Sequence, residues 1–371
     1  MTSPQNSKSR NSKTSTGARF YSPQLDGLRF CAALAVLLHH APAITLLSHF
    51  QAYGWIGVDL FLSLSAYLIT RLILIEQDHT GTFDFRSFYI RRMLRIWPLY
   101  FTYVTAACIG ALALTALPVA TVAAAWLSHF SFTNNLLVAL TGYSPVPFTA
   151  HLWTISLEEQ AYIVLPLMIA LPAAAGTRVR IAPAVAAAML GVLMLARAAF
   201  VAAQAKHPFI WVLPLHADPI VLGALAAILV GSGKLKPQPL MMVLGVALIA
   251  TIPLFPPVDV PGAYQVVGFL VTGVACTAIV VGTQTAFGER TPLAWQPMRY
   301  LGKISYGIYI YHALAIGAVE QLLAARGLPP AVTAFFALPL TIAMAAASYA
   351  VLERPFLRMK DRFARVASRP V

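Results

Sequence analysis

The stretch 263–283, AYQVVGFLVTGVACTAIVVGT, contains no charged residue. An apolar run of about 20 residues is the length that an α-helix needs to cross a hydrocarbon core roughly 30 Å thick. A helix also bonds its own backbone polar groups, which the interior of a bilayer requires. The stretch therefore predicts a transmembrane helix.

Apolar blocks of similar length recur along the chain. Hydrophobic residues make up 59% of the 371 residues and charged residues 11%, whereas a soluble domain carries roughly 25% charged residues. The composition predicts an all-α, polytopic transmembrane helix bundle of about ten spans. We place the spans near residues 28–48, 54–75, 97–117, 153–173, 181–203, 211–231, 238–256, 263–283, 304–324 and 329–351.

An eleventh apolar block, 119–140, is ambiguous because it also contains His129, Ser131, Asn134 and Asn135. Lysine and arginine concentrate in the cytoplasmic loops of membrane proteins. If the block does not complete a crossing, every basic residue except Lys206, Arg326 and the intramembrane Arg197 lies on the inner side. We therefore predict that both termini are cytoplasmic and that 118–152 is an outer loop or a re-entrant segment.

The two ends of the chain are polar and basic. Residues 1–20 are rich in Ser, Thr, Lys and Arg, which predicts a disordered cytoplasmic tail rather than a secretory signal. The transmembrane domain is predicted over 21–356 and a basic cytoplasmic tail over 357–371. The net charge of +13 sits in short loops and tails, so we expect the lipid bilayer as a partner and no nucleic acid.

The sequence does not indicate a metal or a permanently bound cofactor. It contains no Walker loop, no HExxH and no CxxC. The three cysteines, Cys31, Cys108 and Cys276, lie inside apolar blocks without metal-ligand spacing, and we interpret them as small core residues.

Arg29 and His40 form the first polar pair within a span. Ionisable residues are costly in lipid and usually face a bundle interior. A separation of eleven residues places both side chains on one helix face, about 16 Å apart along the axis, whereas His39 points about 100° away. We interpret Arg29 as a cation that binds a phosphate and His40 as a titratable base that lies deeper in the membrane. Alternatively, Arg29 anchors the helix at the membrane surface and His40 forms a hydrogen bond between helices.

A basic and aromatic inner loop leads into the third span. It contains Arg91, Arg92 and Arg95. Arginine forks recognise phosphates well, so the loop is a candidate docking site for a polyphosphate donor. Anchoring to lipid headgroups is an equally good interpretation.

The segment 151–162, HLWTISLEEQAY, brings Glu158 and Glu159 to the start of a span. Ser156 and Glu159 share a helix face at i, i+3. Helix capping explains one carboxylate well but two at a membrane boundary less well. We therefore favour a catalytic or substrate-binding role. Asp59, Asp218 with His216, and the face formed by Tyr306, Tyr309 and His312 are weaker candidates, for which a structural role is at least as good an explanation.

In chain order, seven motifs resemble the membrane acyltransferase-3 family of bacterial sugar and polysaccharide O-acyltransferases. The resemblance covers about 25–356, with Ala66-Tyr67 and His216 as departures from the family pattern. The matching pieces are Leu25-Asp26-Gly27-Leu28-Arg29 with His40; Gly57-Val58-Asp59-Leu60-Phe61 with Leu64-Ser65; Phe88-Tyr89 with Arg91, Arg92 and Arg95; Leu152-Trp153-Thr154-Ile155-Ser156-Leu157-Glu158-Glu159-Gln160; Asp218 with Gly223; Ile304-Ser305-Tyr306-Gly307-Ile308-Tyr309 with His312; and Glu353-Arg354-Pro355-Phe356.

The resemblance implies a cytoplasmic acyl-CoA co-substrate and a glycan or similar hydroxyl acceptor, and it implies that Arg29 and His40 are essential. Many relatives carry a further extracytoplasmic esterase-like domain, which we expect this chain to lack. We take His40, Glu159 and Glu158 as candidate catalytic residues and Arg29, Arg91, Arg92 and Arg95 as candidate donor-binding residues. Candidate substrate-binding residues are Asp26, Asp59, Ser65, Trp153, Ser156, Asp218, Tyr309 and His312.

These observations favour an O-acyltransferase of a bacterial inner membrane that transfers an acetyl group from acetyl-CoA. The sequence leaves open the acceptor, the oligomeric state, and whether His40 acts as a base or carries the acyl group itself. A proton-coupled transporter would also place ionisable residues within spans, but no inverted repeat is visible. A lipid-binding or sensory protein explains the basic loop but not the histidine and the paired glutamates.

The predicted topology is testable with sided reporter fusions. A fusion at Lys206 should report the outer side and one at Arg290 the inner side, because this arrangement keeps most basic residues in the cytoplasm. The opposite pair of results would contradict the ten-span arrangement.

Overall fold

The computed structural model of the protein describes residues 20–44, 47–170, 175–203, 214–255, 262–285, 291–329, 332–363 and 366. Every regular element within these ranges is a helix, and no strand occurs in them. The all-α prediction is confirmed for this part of the chain. The predicted N-terminal tail, apart from Phe20, and the reporter positions Lys206 and Arg290 lie outside the described residues.

The helices are numbered here in chain order. They are α1 Pro23–His40, α2 Ser48–Ala52, α3 Ile56–Thr80, α4 Phe85–Leu114, α5 Val119–Phe130, α6 Asn134–Thr141, α7 Trp153–Ala170, α8 Ala175–Ala202, α9 Asp218–Gly231, α10 Pro239–Thr251, α11 Ala263–Thr283, α12 Gln296–Lys303, α13 Ser305–Ala324, α14 Thr333–Ser348 and α15 Arg354–Lys360. A π-helical turn, Tyr349–Glu353, joins α14 to α15.

Each of the ten predicted spans overlaps one of these helices, although several helices begin or end outside the predicted bounds. Six helical stretches of the described chain are long and apolar enough to cross a membrane. The protein is therefore a helical membrane protein, while the count of ten spans and the sidedness of the termini remain predictions. The six stretches are α3, α4, the part of α8 over Arg180–Ala202, α11, α13 and the continuous stretch Thr333–Phe363.

The segment 118–152 forms two short helices. Helix α5 has 12 residues and α6 has 8, so α5 is only about 18 Å long and neither helix alone crosses a hydrocarbon core. Their polar residues His129, Asn134 and Asn135 are fully buried. The side-chain amides of Asn135 and Gln160 bond each other reciprocally, at 3.2 and 3.0 Å, and fasten α6 to α7. Polar groups at membrane depth are tolerated when protein covers them in this way.

The basic segment around Arg91 lies on a helix rather than in the predicted loop. Helix α4 begins at Phe85 because the Asp84 carboxylate accepts a hydrogen bond from the Ser87 backbone N–H at 3.0 Å, which is a helix N-cap. Arg91, Arg92 and Arg95 consequently project from one long helix in fixed relative positions.

Two glycines allow α12 and the turn that precedes it to pack closely against α1. A Cβ atom on Gly302 would lie 1.8 Å from the Asp26 carbonyl oxygen, and one on Gly27 would lie 2.2 Å from that of Leu293. Only glycine allows such a close approach. The contact fixes Lys303, the last residue of α12, beside the start of α1.

A buried ion pair joins α8 to α9. Arg197 donates to both carboxylate oxygens of Asp218, at 2.6 and 3.0 Å, and also to the carbonyl oxygens of Leu215 and Val266. Neither side chain of the pair is exposed. A buried charge without its partner is strongly destabilising, so each residue requires the other.

A second buried pair lies beside the first. Nε2 of His216 is 2.7 Å from a carboxylate oxygen of Asp59 on α3, again with no exposed side-chain surface. The His216 ring also lies 4.2 Å from the ring of Phe269 on α11, centroid to centroid. The two pairs therefore connect α3, α8, α9 and α11.

Removing one partner of the Arg197–Asp218 pair should destabilise the protein. We expect Arg197→Leu to lower stability by about 3–5 kcal/mol, since it leaves Asp218 buried and unpaired. The double variant Arg197→Leu/Asp218→Leu should recover much of the loss. Thermal unfolding in detergent measures both.

The matched control is Arg180→Leu, which changes an exposed arginine of the same helix. It should leave the unfolding temperature within a few degrees of the wild type. Equal effects of the two single variants would show that the buried pair has no special role.

Candidate functional site

A cavity lies between α1, α3, α4, α7 and α13, with the segment 20–22, the end of α12 and helix α15 at its border. Each helix contributes side chains from a single face, so the cavity follows from the packing of the bundle. Its polar and aromatic lining includes Tyr21, Asp26, Arg29, Ser65, Arg91, Arg92, Arg95, Thr154, Glu158, Tyr162, Lys303, Tyr306, Tyr309 and Lys360.

The cavity carries a large excess of positive charge. Six basic side chains line it, against the two carboxylates of Asp26 and Glu158. Clefts lined by one sign of charge concentrate ligands of the opposite sign. The arrangement therefore suits a polyanionic ligand. The basic residues are Arg29, Arg91, Arg92, Arg95, Lys303 and Lys360.

Arg92 and Arg95 are the arginines best placed to bind a ligand. The guanidinium of Arg92 lies 5.2 Å from the ring centroid of Tyr162, and that of Arg95 lies 6.0 Å from Tyr306. Within the described ranges, neither has a carboxylate at ion-pair distance. Their donor groups therefore have no protein counter-ion to displace.

Arg91 is already engaged by the protein. It donates to the Phe363 carbonyl oxygen at 2.6 Å, and it lies 3.5 Å from the buried carboxylate of Glu76. Arg91 thus ties the C-terminal segment after α15 to α4 and α3. A ligand would share this side chain with two protein partners.

Arg29 is oriented by Asp26. The Asp26 carboxylate accepts from Arg29 at 3.0 Å and from the Tyr21 hydroxyl at 2.9 Å. Burial raises the pKa of the Tyr21 hydroxyl, and the charge of Asp26 raises it further, so Tyr21 keeps its proton and remains a donor. Asp26 therefore positions Arg29 at the cavity wall.

The two adjacent glutamates face different surroundings. Glu158 lines the cavity and accepts hydrogen bonds from the hydroxyls of Ser65, at 2.5 Å, and Tyr162. Glu159 does not line it and instead accepts a long bond of 3.4 Å from the indole N–H of Trp97. Of the two predicted carboxylates, Glu158 is the one that the fold brings to the arginines.

Three histidine rings meet beyond the cavity and are called here the histidine cluster: His40, His151 and His312. Ring centroids lie 4.9 Å apart for His40 and His312, and 4.5 Å apart for His151 and His312. Helix α13 continues twelve residues past His312, about 18 Å. The cluster therefore lies part-way along α13, well before the end of that helix.

Hydrogen bonds fix the protonation of two of these rings. Nδ1 of His40 lies 2.9 Å from the Val36 carbonyl oxygen, and Nδ1 of His312 lies 2.6 Å from that of Tyr309. A carbonyl oxygen only accepts, so each Nδ1 carries a proton and Nε2 of the neutral ring is left as an acceptor. His40 is exposed, whereas His151 and His312 are buried.

His39 has a different partner from His40. Its Nδ1 donates to the Gln51 carbonyl oxygen at 2.8 Å. The Gln51 amide in turn donates to the Leu38 carbonyl oxygen at 2.9 Å, one of the carbonyls that the end of α1 leaves unbonded. His39 belongs to the connection between α1 and α2.

The fold divides the predicted site residues into four groups. The cavity brings together Asp26, Arg29, Ser65, Arg91, Arg92, Arg95, Glu158 and Tyr309. The histidine cluster holds His40 and His312. Asp59 and Asp218 form the buried pairs described above, and Trp153, Ser156 and Glu159 lie on α7 away from the cavity lining.

Four residues of the site are absent from the sequence-based selection. Tyr162 follows Glu158 by four residues, a spacing that places both on one helix face, and His151 opens the same motif. Lys303 directly precedes the motif of α13. Lys360 carries no local signal, because only the tertiary fold returns α15 to the cavity.

Residues 22–350 match the model of the acyltransferase-3 family, which is described as an acyltransferase domain. The chain belongs to this family. The resemblance inferred from the seven motifs is thereby confirmed. No solved structure matches the chain.

Several relatives carry names that specify acetyl transfer. The Staphylococcus aureus protein named "Putative O-acetyltransferase SAS0844" is 27% identical over 360 residues, covering 91% of this chain and 57% of the relative. "Putative peptidoglycan O-acetyltransferase YrhL" of Bacillus subtilis is 27% identical over 79% of this chain and 48% of its own length. Peptidoglycan O-acetyltransferase OatA of Listeria monocytogenes is 28% identical over 42% of this chain and 25% of its own length. The chain thus spans little more than half of the relatives that it matches best along its length.

Proposed function

We propose that this protein is a membrane O-acetyltransferase that moves an acetyl group from cytoplasmic acetyl-CoA to a hydroxyl of a sugar or polysaccharide. We further propose that it lies in a bacterial inner membrane. The observation that best supports the proposal is a cavity lined by six basic side chains. One aromatic ring separates the inner end of this cavity from the histidine cluster.

The cavity supports a coenzyme A thioester as the donor. Coenzyme A carries phosphates at one end and the reactive thioester at the other. Arginine forks bind phosphates through two parallel hydrogen bonds. We place the phosphates against Arg29, Arg92 and Arg95, with the thioester arm directed toward Thr154 and Tyr309 at the inner end of the lining.

His40 is our candidate for the reacting base. Its Nδ1–H is held by the Val36 carbonyl, which leaves Nε2 for chemistry. In direct transfer, Nε2 takes the hydroxyl proton, the acceptor oxygen bonds to the acetyl carbon and the carbon–sulfur bond breaks. His40 then returns the proton to the departing thiolate. In a two-step route, Nε2 would instead carry the acetyl group before passing it to the hydroxyl.

The acceptor side of the proposal rests on exposure and on relatives. His40 is exposed and does not line the donor cavity, and we propose that the acceptor reaches it without passing through the donor site. Two of the relatives carry names that specify peptidoglycan O-acetylation. A glycan hydroxyl is therefore the acceptor class that we propose.

The decisive test uses purified protein in detergent with labelled acetyl-CoA and a glycan acceptor. Release of free CoA that depends on the protein would support the proposal. Failure to bind acetyl-CoA and to release CoA would contradict it and would leave a transporter as the remaining interpretation of the buried ionisable residues.

Loss of a phosphate contact should weaken donor binding. We expect Arg92→Ala or Arg95→Ala to raise the Kd for acetyl-CoA by roughly 10- to 100-fold, the range for one charge-assisted contact. Arg91→Ala should also reduce stability because Arg91 holds Phe363 and Glu76. Calorimetric titration and thermal unfolding separate the two effects.

The control is Arg86→Ala, which removes an exposed arginine of the same helix that lies outside the cavity. It should leave Kd unchanged. An unchanged Kd in well-folded variants of Arg91, Arg92 and Arg95 would make the cluster a membrane anchor only.

The two neighbouring histidines should differ sharply. His40→Ala should abolish transfer while donor binding is nearly retained, and His39→Ala should be mild because His39 bonds Gln51 instead. Activity should rise with pH as the His40 imidazole loses its proton, because only the neutral ring accepts a proton at Nε2. An inactive His39→Ala beside an active His40→Ala, at matched expression, would contradict the assignment.

A further inference from the structure

We propose that Tyr309 is the partition between the donor cavity and the histidine cluster, and that it determines whether the acetyl group reaches the acceptor or is lost to water. The proposal rests on the proposed function. It makes Tyr309 a positioning residue, which acts by controlling what reaches His40.

The cavity ends at the Tyr309 side chain. Tyr309 and Thr154 belong to its lining, whereas none of the three histidines does. Tyr309 is 8% exposed. Its ring packs edge-on against Phe61 of α3, which also lines the cavity, with centroids 6.2 Å apart.

The histidine cluster lies on the other side of the same ring. The Tyr309 centroid is 5.3 Å from that of His151 and 5.6 Å from that of His312. His312 in turn contacts His40 at 4.9 Å. One aromatic ring thus belongs to the lining of the donor cavity and also contacts two histidines of the cluster, one of which contacts His40.

Two hydrogen bonds hold the partition closed. The Tyr309 hydroxyl lies 2.7 Å from the His151 carbonyl oxygen and 2.5 Å from Oγ1 of Thr154. A carbonyl only accepts, so the single hydroxyl proton of Tyr309 goes to His151 and the Thr154 hydroxyl donates to Tyr309. Both bonds fasten α13 to the start of α7.

The closed arrangement separates the thioester from His40. Transfer requires the acetyl carbon to pass the plane of the ring, so the two bonds must break and the ring must rotate. An opening without acceptor would admit water, which adds its oxygen to the acetyl carbon as the carbon–sulfur bond breaks. The products are then acetate and free CoA thiol, with one proton released. Enzymes that protect a reactive intermediate exclude water in this manner.

The test measures CoA release from acetyl-CoA by the full chain in the absence of any acceptor. Tyr309→Phe keeps the ring and removes both hydrogen bonds. We expect it to increase acceptor-free CoA release about tenfold, with equal amounts of acetate formed, because each bond contributes on the order of a fewfold to the closed state. Thr154→Val removes one bond and should give a smaller increase. Tyr309→Ala should give the largest increase in acceptor-free CoA release.

The matched control is Tyr103→Phe. Tyr103 is likewise buried and donates to a carbonyl oxygen, that of Phe148, at 2.7 Å, but it lies outside the cavity and the histidine cluster. It should leave acceptor-free release at the wild-type level. An equal increase in this variant would show that any loss of a buried tyrosine bond loosens the bundle and would overturn the assignment.

A measurement of acetyl-CoA binding distinguishes a failure of the partition from a failure of the proposed function. If the wild type binds acetyl-CoA and Tyr309→Phe binds it equally well without added CoA release, the partition is wrong while the proposed function stands. If the wild type does not bind acetyl-CoA, the proposed function fails and the partition fails with it. If Tyr309→Ala does not fold, Tyr309→Phe and Thr154→Val still decide the question.

Discussion

An ionisable side chain without a partner is strongly destabilising inside an apolar helix bundle. This free-energy cost governs where the charges of this chain lie. Away from the cavity the protein satisfies this constraint internally. Arg197 donates to Asp218 and to two backbone carbonyls, and Asp59 pairs with His216. At the cavity, Arg92 and Arg95 have no carboxylate at ion-pair distance within the described ranges. A polyanionic ligand is the natural completion of that surface.

The cavity and the histidine cluster divide the reaction that we propose into two compartments. The arginines hold the phosphates of the donor at one end, and the thioester arm approaches Tyr309 at the other. His40 lies behind that ring and is exposed toward a separate approach for the acceptor. This separation explains how one bundle can use a cytoplasmic donor and a different acceptor without their mixing. Arg29 lies in one of these compartments and His40 in the other, on a shared face of α1.

Much of this arrangement is predictable from the sequence, because lipid imposes simple rules. The length of the apolar stretches predicts the helices, and the order of the motifs indicates the family. Helical periodicity places Arg29 and His40 on one face. The residues that periodicity cannot place are those whose partners are distant in the chain. Asp218 matches the family pattern, yet only the fold shows that Arg197 neutralises it. Glu158 and Glu159 are neighbours in sequence, yet one faces the cavity and the other faces Trp97. Lys360 reaches the cavity only because α15 packs back against α4.

The central claim is that the donor enters the basic cavity with its acyl end toward Tyr309. Photo-crosslinking with an acyl-CoA that carries a photoreactive diazirine on its acyl group tests this most directly, with the labelled residues mapped by mass spectrometry. The account predicts label at the inner end of the cavity, on Val58, Thr154 or Tyr309. Label confined to the segment 20–22 or to residues outside the cavity lining would contradict it.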